Sequence, residues 1–273
     1  MEWLCLTKHL IMNPSRLSNF HYREFKYVVV VMIEQLNFEG KSKVEIAIDR
    51  LKGFEPEEGY YVAISGGKDS DVIVKLCELA GVKHDIHHQH TTADAPETVR
   101  YIRKTYPSCI IDYPNKSIWQ LIEEQGVPPT RLMRYCCKVL KEYGGEGRTK
   151  VLGVRWSESS KRKNNRKMTE LCYKTNTKTI NPIIDWTESE VWEFHKKYNL
   201  PHNPLYDQGC KRIGCIMCPQ KGKKGMLEDA KRFPKYYQNY LRAFQRMLDK
   251  RKEKGLETTW KTPEEVFEWW INL

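Results

Sequence analysis

Two groups of residues in this sequence could do chemistry. The first is Ser65-Gly66-Gly67-Lys68-Asp69-Ser70, inside "YYVAISGGKDSDVIVKL" at 60–76. Adjacent glycines let a backbone turn tightly and bring its N–H groups close to a ligand, and a helix beginning there adds partial positive charge. That is chemistry for a phosphate, with Ser70 adding a hydroxyl and Lys68 a charge. A plain strand-to-helix turn capped by Asp69 or Ser70 is the alternative, yet five fixed residues at such a junction exceed what a turn requires. The stretch is not a Walker A loop. Val62 stands where that motif has its first glycine, and Asp69 follows the lysine in place of Ser or Thr.

The second group is made of thiols. Of nine cysteines, Cys5, Cys77, Cys109 and Cys172 are scattered, while Cys136, Cys137, Cys210, Cys215 and Cys218 cluster. Disulfides belong to secreted chains, and the opening "MEWLCLTKHLIMNPSR" lacks the basic, apolar, small-residue order of a secretory signal. A metal is the better reading. Cys215-x-x-Cys218 brings two thiolates to one centre, as in zinc and iron–sulfur sites. Cys136 and Cys137 are adjacent, and helix neighbours point about 100° apart, which is awkward for one tetrahedral zinc. A four-iron four-sulfur cube offers separate iron corners, so iron–sulfur is favoured over a structural zinc site. Cys210 is left as a ligand, a reactive thiol or a buried residue. Cys77 and Cys109 fall in apolar runs and read as core. His84, His88 and His90 share one face of a strand, but no carboxylate joins them at a metal-site spacing, so a polar strand end is the simpler reading.

These groups need a scaffold. Tyr60–Ile64 reads as a buried strand, and Val72, Ile73, Leu76 and Leu79 recur as one face of a helix. "GVKHDIHHQH" alternates as a strand does, "PETVRYIRKTY" is helical, "SCIIDY" is a strand, "KSIWQLIEEQ" is helical and "TKVLGVRW" is a further strand. This order predicts an α/β fold with a doubly wound parallel sheet. Ligands then sit at the carboxyl ends of the strands, where Ser65, Thr91 to Asp94 and Arg155 to Ser159 should converge. Residues 1–54 read as an N-terminal helical extension, with helices over "FKYVVVVMIEQL" and "KSKVEIAIDRL" for packing or an oligomer contact. The nucleotide domain is expected over 55–185. A C-terminal helical lobe with the Cys-x-x-Cys is expected over 186–273, where Thr187 and Glu190 form a capping box. The aromatics Tyr236, Tyr237, Tyr240 and Phe244 read as its core.

The composition, 40% hydrophobic and 30% charged, is that of a globular chain. Its most apolar run, Val28 to Ile33, is far shorter than the ~20 residues of a membrane span, so a cytoplasmic protein without membrane contact is expected. The net charge is +11, and "KRKNNRK" at 161–167 places five cations in seven residues. Such a run is usually a solvated loop. Beside a nucleotide site it could grip a nucleic-acid backbone, as could "KGKKG" (221–225) and "DKRKEK" (249–254).

The loop resembles the PP-loop of ATP pyrophosphatases, and from about Val44 onward the chain resembles the phosphoadenosine phosphosulfate reductase family, within the adenine nucleotide alpha hydrolase-like superfamily. The resemblance rests on "SGGKDS", "TTADAPET", "RYCCKVLK", "GVRWSESSKR", "NPIIDWTESEVW", "NPLY" and "GCIMCP", in family order. It implies an enzyme that binds ATP or adenylyl sulfate. Ser65, Gly66, Gly67 and Ser70 would hold phosphates together with Lys68, and Asp69 would position Mg²⁺. Lys68, Asp69, Arg155 and Glu158 would be the catalytic residues, Asp94 and Ser159 would line the nucleotide site, and Arg155 and Arg162, flanking Glu158 and Ser159, would clamp phosphates or sulfate. Iron–sulfur members ligate a [4Fe-4S] cluster through a Cys-Cys pair and a later Cys-x-x-Cys, which maps onto Cys136, Cys137, Cys215 and Cys218. Family reductases use a nucleophilic cysteine in a C-terminal tail, and here no cysteine follows Cys218. Unless Cys172 or Cys210 substitutes, the implied reaction is ATP-dependent adenylation of an acceptor, transfer RNA or DNA, with sulfur arriving from a donor. Adenylyl-sulfate reduction with a thiol reductant is the second reading, and a non-catalytic iron–sulfur nucleic-acid module the third.

Overall fold

A computed structural model describes residues 35–37, 39–172 and 176–273. The expected helix over 25–36 lies almost wholly outside them. The chain then runs through α1 (Lys43–Gly53), β1 (Tyr60–Ala63), α2 (Lys68–Ala80), β2 (His84–Gln89), α3 (Pro96–Thr105), β3 (Ile110–Asp112), α4 (Ile118–Gln125) and α5 (Tyr135–Leu140). It continues with β4 (Lys150–Val151), α6 (Ser160–Asn165), β5 (Thr169–Cys172), β6 (Thr177–Ile180), α7 (Glu188–Lys197), α8 (Gly222–Arg232), α9 (Pro234–Glu253) and α10 (Pro263–Ile271).

The six strands form one sheet in the order β3-β2-β1-β4-β6-β5. All neighbours are parallel except β5, which runs antiparallel to β6 at the edge. The doubly wound, mostly parallel sheet is as expected, with one antiparallel edge strand added: "TELC" and "TKTI" pair without a strong period-2 pattern of apolar residues. The winding reverses between β1 and β4, so a crevice opens at the carboxyl ends of those two strands, the place where such sheets bind ligands. Both the Ser65–Ser70 loop and the segment after β4 emerge into it.

Two apolar cores divide the molecule. One surrounds β1 and draws Val44, Ala47 and Leu51 from α1, Val72, Ile73 and Leu76 from α2, and Val191 and Phe194 from α7. The other unites Ile118, Leu121 and Ile122 of α4 and Leu140 of α5 with Tyr240, Phe244 and Met247 of α9 and Trp270 of α10. Thus α1 and α7 pack into the α/β unit, and α4 and α5 pack with the C-terminal helices. The first core therefore draws on helices to either side of positions 54 and 185. The Thr187–Glu190 capping box does open α7. Among the described residues, no helix is long and apolar enough to cross a membrane.

Candidate nucleotide and thiol site

At the end of β1 the chain turns through Gly66, whose φ of +68° lies in the left-handed region. A Cβ there would stand 2.8 Å from Thr98 Cγ2 and 3.1 Å from Ile102 of α3, so conformation and space both demand glycine. Gly67 precedes α2. Its N–H donates to Ser70 Oγ (3.1 Å), and the Ser70 hydroxyl donates back to the Gly67 carbonyl (2.6 Å). The Lys68 N–H donates to the Tyr206 hydroxyl at 3.0 Å. Ser70 and the N–H of Gly67 are therefore spent on closing the loop. The N–H groups of Ser65, Gly66 and Asp69 carry no hydrogen bond among the described residues, and Ser65 is exposed at the tip.

Three residues from far along the chain hold this loop from behind. Asn203, fully buried, donates to the Gly66 carbonyl (3.0 Å) and to Thr98 Oγ1 (3.1 Å). His195 of α7 meets the Lys68 carbonyl at 2.8 Å. Tyr206 engages Lys68 as above. A fourth contributor is Gly153, after β4, where a Cβ would stand 2.9 Å from the Asp69 carbonyl oxygen. Sequence reasoning missed the loop-holding roles of Asn203, Tyr206, His195 and Gly153. A glycine at a strand end facing a ligand loop is a legible sign of close backbone approach, whereas nothing local marks Asn203.

The charged residues pair with one another. Asp69 Oδ1 receives Arg155 Nε at 2.6 Å, and the buried Arg155 also donates to Ser157 Oγ at 2.7 Å. Lys68 Nζ stands 3.4 Å from Asp69 and 3.6 Å from Glu188. Glu158 accepts from the Arg155 N–H (3.1 Å) and pairs with Arg162, and Ser159 caps α6 by accepting from the Arg162 N–H (3.2 Å). Arg155 is thus placed behind Asp69, while Arg162 flanks the crevice with Arg212 close by.

Asp94 sits beyond β2, where it accepts the Thr91 N–H at 2.7 Å and lies 3.6 Å from His88 Nε2. Burial works to raise its carboxyl, but His88, Lys141 and the Thr91 N–H outweigh it and bring it down to about 2. Cys215 Sγ lies 3.4 Å from Thr91 Oγ1, and the Ile216 N–H donates to the Ala93 carbonyl at 2.7 Å. The Cys-x-x-Cys loop is therefore stitched to the end of β2.

The four cysteines Cys136, Cys137, Cys215 and Cys218 line one cavity of about 50 Å³ together with Thr91 and Lys141. No carboxylate or imidazole lines it. Cys137 is drawn below the ordinary thiol range by the adjoining Cys136 and by Arg134, which reaches its sulfur at 3.4 Å. Burial, then the charge of Cys215, pushes Cys218 up. Among the described residues no three His, Cys, Asp or Glu side chains form a ready-made site for a single metal ion. Between Cys215 and Cys218, Met217 adopts φ +55° and its N–H donates to Asp229 (2.7 Å).

The remaining cysteines are dispersed. Cys77 is fully buried in the first core. Cys172 pairs with Thr177 at the amino end of β6, the side of the sheet away from the crevice. Cys210 receives Arg232 Nη1 at 2.6 Å. The segment carrying Cys210 connects the two halves of the site, because Asn203 and Tyr206 hold the loop, Ile213 lies against Gly67, and Cys215 and Cys218 line the cavity.

The family model for the phosphoadenosine phosphosulfate reductase domain matches residues 59–221. Two uncharacterized proteins of Methanocaldococcus jannaschii are 29% and 28% identical over 66% and 67% of this chain. The matched stretch spans only 40% and 47% of their lengths. An adenosine 5'-phosphosulfate reductase of Bacillus cereus is 28% identical, with 66% of this chain and 80% of the relative covered. A solved phosphoadenylyl-sulfate reductase from Candida auris, a phosphate complex, aligns with a TM-score of 0.48 at 18% identity, over 66% of this chain and 96% of that one. With its loop, crevice and more than half of its length matched by that one domain model, the chain belongs to the phosphoadenosine phosphosulfate reductase domain family.

Proposed function

We propose that this adenylyl-nucleotide-binding PP-loop enzyme adenylates an acceptor oxygen with ATP, so that sulfur can replace that oxygen, with a nucleic acid as acceptor. The observation that carries the reading is the joining of the two sites by one segment, Asn203–Cys218, which packs on the PP-loop at one end and lines the thiol cavity at the other. In the first step the acceptor oxygen attacks the α-phosphorus. The α–β bridging bond breaks, its electrons leave with pyrophosphate, and the acceptor carries AMP. In the second, donor sulfur attacks the activated atom and AMP departs with the oxygen. The N–H groups of Ser65 and Gly66 and the positive end of α2 suit the departing phosphates, and Lys68 and Arg162 add charge. Arg155 acts by fixing Asp69.

The cavity's donor set suits an iron–sulfur group: four thiols, mostly apolar walls, one lysine, the hydroxyls of Thr91 and Tyr240 and, among the described residues, no carboxylate or imidazole. The adjacent Cys136 and Cys137, whose side chains diverge on a helix, favour the separate corners of a polyatomic cluster over one tetrahedral zinc. Cys136, Cys137, Cys215 and Cys218 would hold a [4Fe-4S] cluster, which would supply an electron-storing centre able to bind sulfur. Protein-held Mg²⁺ does not fit, because Asp69 and Glu158 are already matched to Arg155 and Arg162.

A second reading, adenylyl-sulfate reduction, is favoured by the Bacillus relative and by the Arg232–Cys210 contact, which would leave Cys210 as the nucleophile. Cys172 is ill placed for that task. One assay separates the readings. Anaerobically purified protein given ATP, sulfide and either total transfer RNA or DNA is expected to release AMP and pyrophosphate. Sulfite from adenylyl sulfate and thioredoxin, lost in Cys210→Ser, would establish the second reading. Iron and sulfide should co-purify and vanish in Cys215→Ser/Cys218→Ser, and stoichiometric zinc without iron would overturn the cluster.

A further inference from the structure

The loop between α4 and α5, Thr130-Arg131-Leu132-Met133-Arg134, lies in sequence between Pro129 and Cys136, which both line the thiol cavity. Its Leu132 is 94% exposed and Met133 is 47% exposed. A single exposed leucine is ordinary, but this one is held out by fixed anchors on both sides. Thr130 Oγ1 accepts the N–H groups of Leu132 (3.2 Å) and Met133 (2.9 Å), closing a tight turn. Arg131 Nε donates to the carbonyl of Pro219, the residue after Cys218, at 3.2 Å, and Arg134 donates to Cys137 Sγ. Pro129, just before, accepts Trp270 Nε1 at 2.6 Å. The two apolar side chains are therefore displayed on a braced turn tied to both halves of the cysteine set.

The segments around this turn are rich in cations, bounded in sequence by Glu142, Asp207 and Glu228, with Lys221 paired to Asp229. Segments 127–141 and 208–227, which carry all four cavity cysteines, hold nine Lys and Arg and no Asp or Glu in 35 residues. At the chain's average density, four or five carboxylates would fall there. Arg131, Arg134, Lys138, Lys223 and Lys224 are all exposed.

We infer that this turn and its cation-rich flanks form the docking surface for a nucleic acid, with Leu132 and Met133 set against an unstacked base beside the thiol cavity. The inference rests on the nucleic-acid acceptor proposed above. Cations neutralise phosphates whatever the sequence, and apolar side chains that wedge against base steps hold a base out of its stack. An acidic protein would satisfy the charge alone, and the projecting apolar pair favours a partner that also offers flat apolar faces.

The test is fluorescence anisotropy with labelled total transfer RNA and, separately, a labelled single-stranded DNA oligonucleotide, using the complete protein. Leu132→Ser/Met133→Ser should weaken binding of the preferred nucleic acid about tenfold, the size expected for losing base contact. Lys138→Glu should lower the salt slope by about one. ATP affinity by calorimetry should stay unchanged in both variants, which also shows them folded. Equal nucleic-acid binding by wild type and the double variant would overturn the surface while leaving the acceptor reading intact. Binding of neither nucleic acid by wild type would overturn both. Polyglutamate, which has charge but no bases, is the third probe, and binding to it that the double variant loses to the same degree would point to an acidic protein and overturn the inference.

Discussion

The PP-loop and the cysteine loop lie side by side, joined by one segment, yet they are held in different ways. The PP-loop is closed by its own hydrogen bonds, requires a glycine whose missing Cβ is replaced by Thr98 and Ile102, and is braced by the buried Asn203 and His195. The cysteine loop faces a cavity with four thiols, and its turn includes Met217 in a left-handed conformation that costs a non-glycine residue about 1 kcal/mol. The first region is complete as a scaffold before a ligand arrives. In the second, Arg134 reaches Cys137 and Thr91 meets Cys215, and all four thiols face one cavity.

The hardest test of that contrast is Gly66→Val. A β-branched side chain is strained at φ +68° and collides with α3, so nucleotide binding should disappear from calorimetry and stability should fall by about 3 kcal/mol or more. The collision with Thr98 means that the loss reaches beyond the ligand site into the packing of α3. Unchanged binding would show that the loop is not preformed. Asn203→Ala comes next. It leaves the Gly66 carbonyl and Thr98 hydroxyl buried without their donor, and chemical denaturation should register a loss of about 2 kcal/mol.

If the thiol cavity holds the proposed cluster, removing it should act on the other region alone. Hydrogen exchange is expected to rise across 127–141 and 210–221 on chelation while 60–70 stays protected, and equal change in both would erase the contrast. The mildest expected effect concerns Asp71, one residue past the loop. Burial pushes its carboxyl up to about 7 against the opposing hydroxyls of Tyr106, which donates to Oδ1 at 2.8 Å, and Tyr101. Its folded value is raised above the unfolded one, so the neutral acid's contribution is whole below about pH 4 and is lost as pH rises to 7. Asp71→Asn should flatten that decline, leaving the variant about 1–2 kcal/mol more stable than wild type at pH 8. A parallel pH profile in both proteins would remove Asp71 from the account.

What could be read from the sequence follows from how far apart cooperating residues lie. Ser65–Ser70 was legible because strand, turn and helix are contiguous, and Cys215 and Cys218 because one turn supplies both. The hairpin of β5 and β6 was not, since its short strands carry few apolar residues and pair at an edge. Asn203 was not legible either: it acts 137 positions from Gly66, and only tertiary packing gives an asparagine in "NPLY" that partner. Arg155 was placed correctly at a strand end, but its pairing with Asp69 depends on the close approach that Gly153 permits.

The bridge from Asn203 to Cys218 also limits how such proteins can diversify by exchange of parts. A hybrid that joined the sheet of one relative to the cysteine-bearing helices of another would have to cut somewhere, and a cut inside this stretch would separate Tyr206 from Lys68 or Ile213 from Gly67. Because each end is fixed to its own neighbour, even one inserted residue would move one attachment by up to about 3.5 Å relative to the other. The stretch should therefore be inherited whole, as a unit of recombination in its own right.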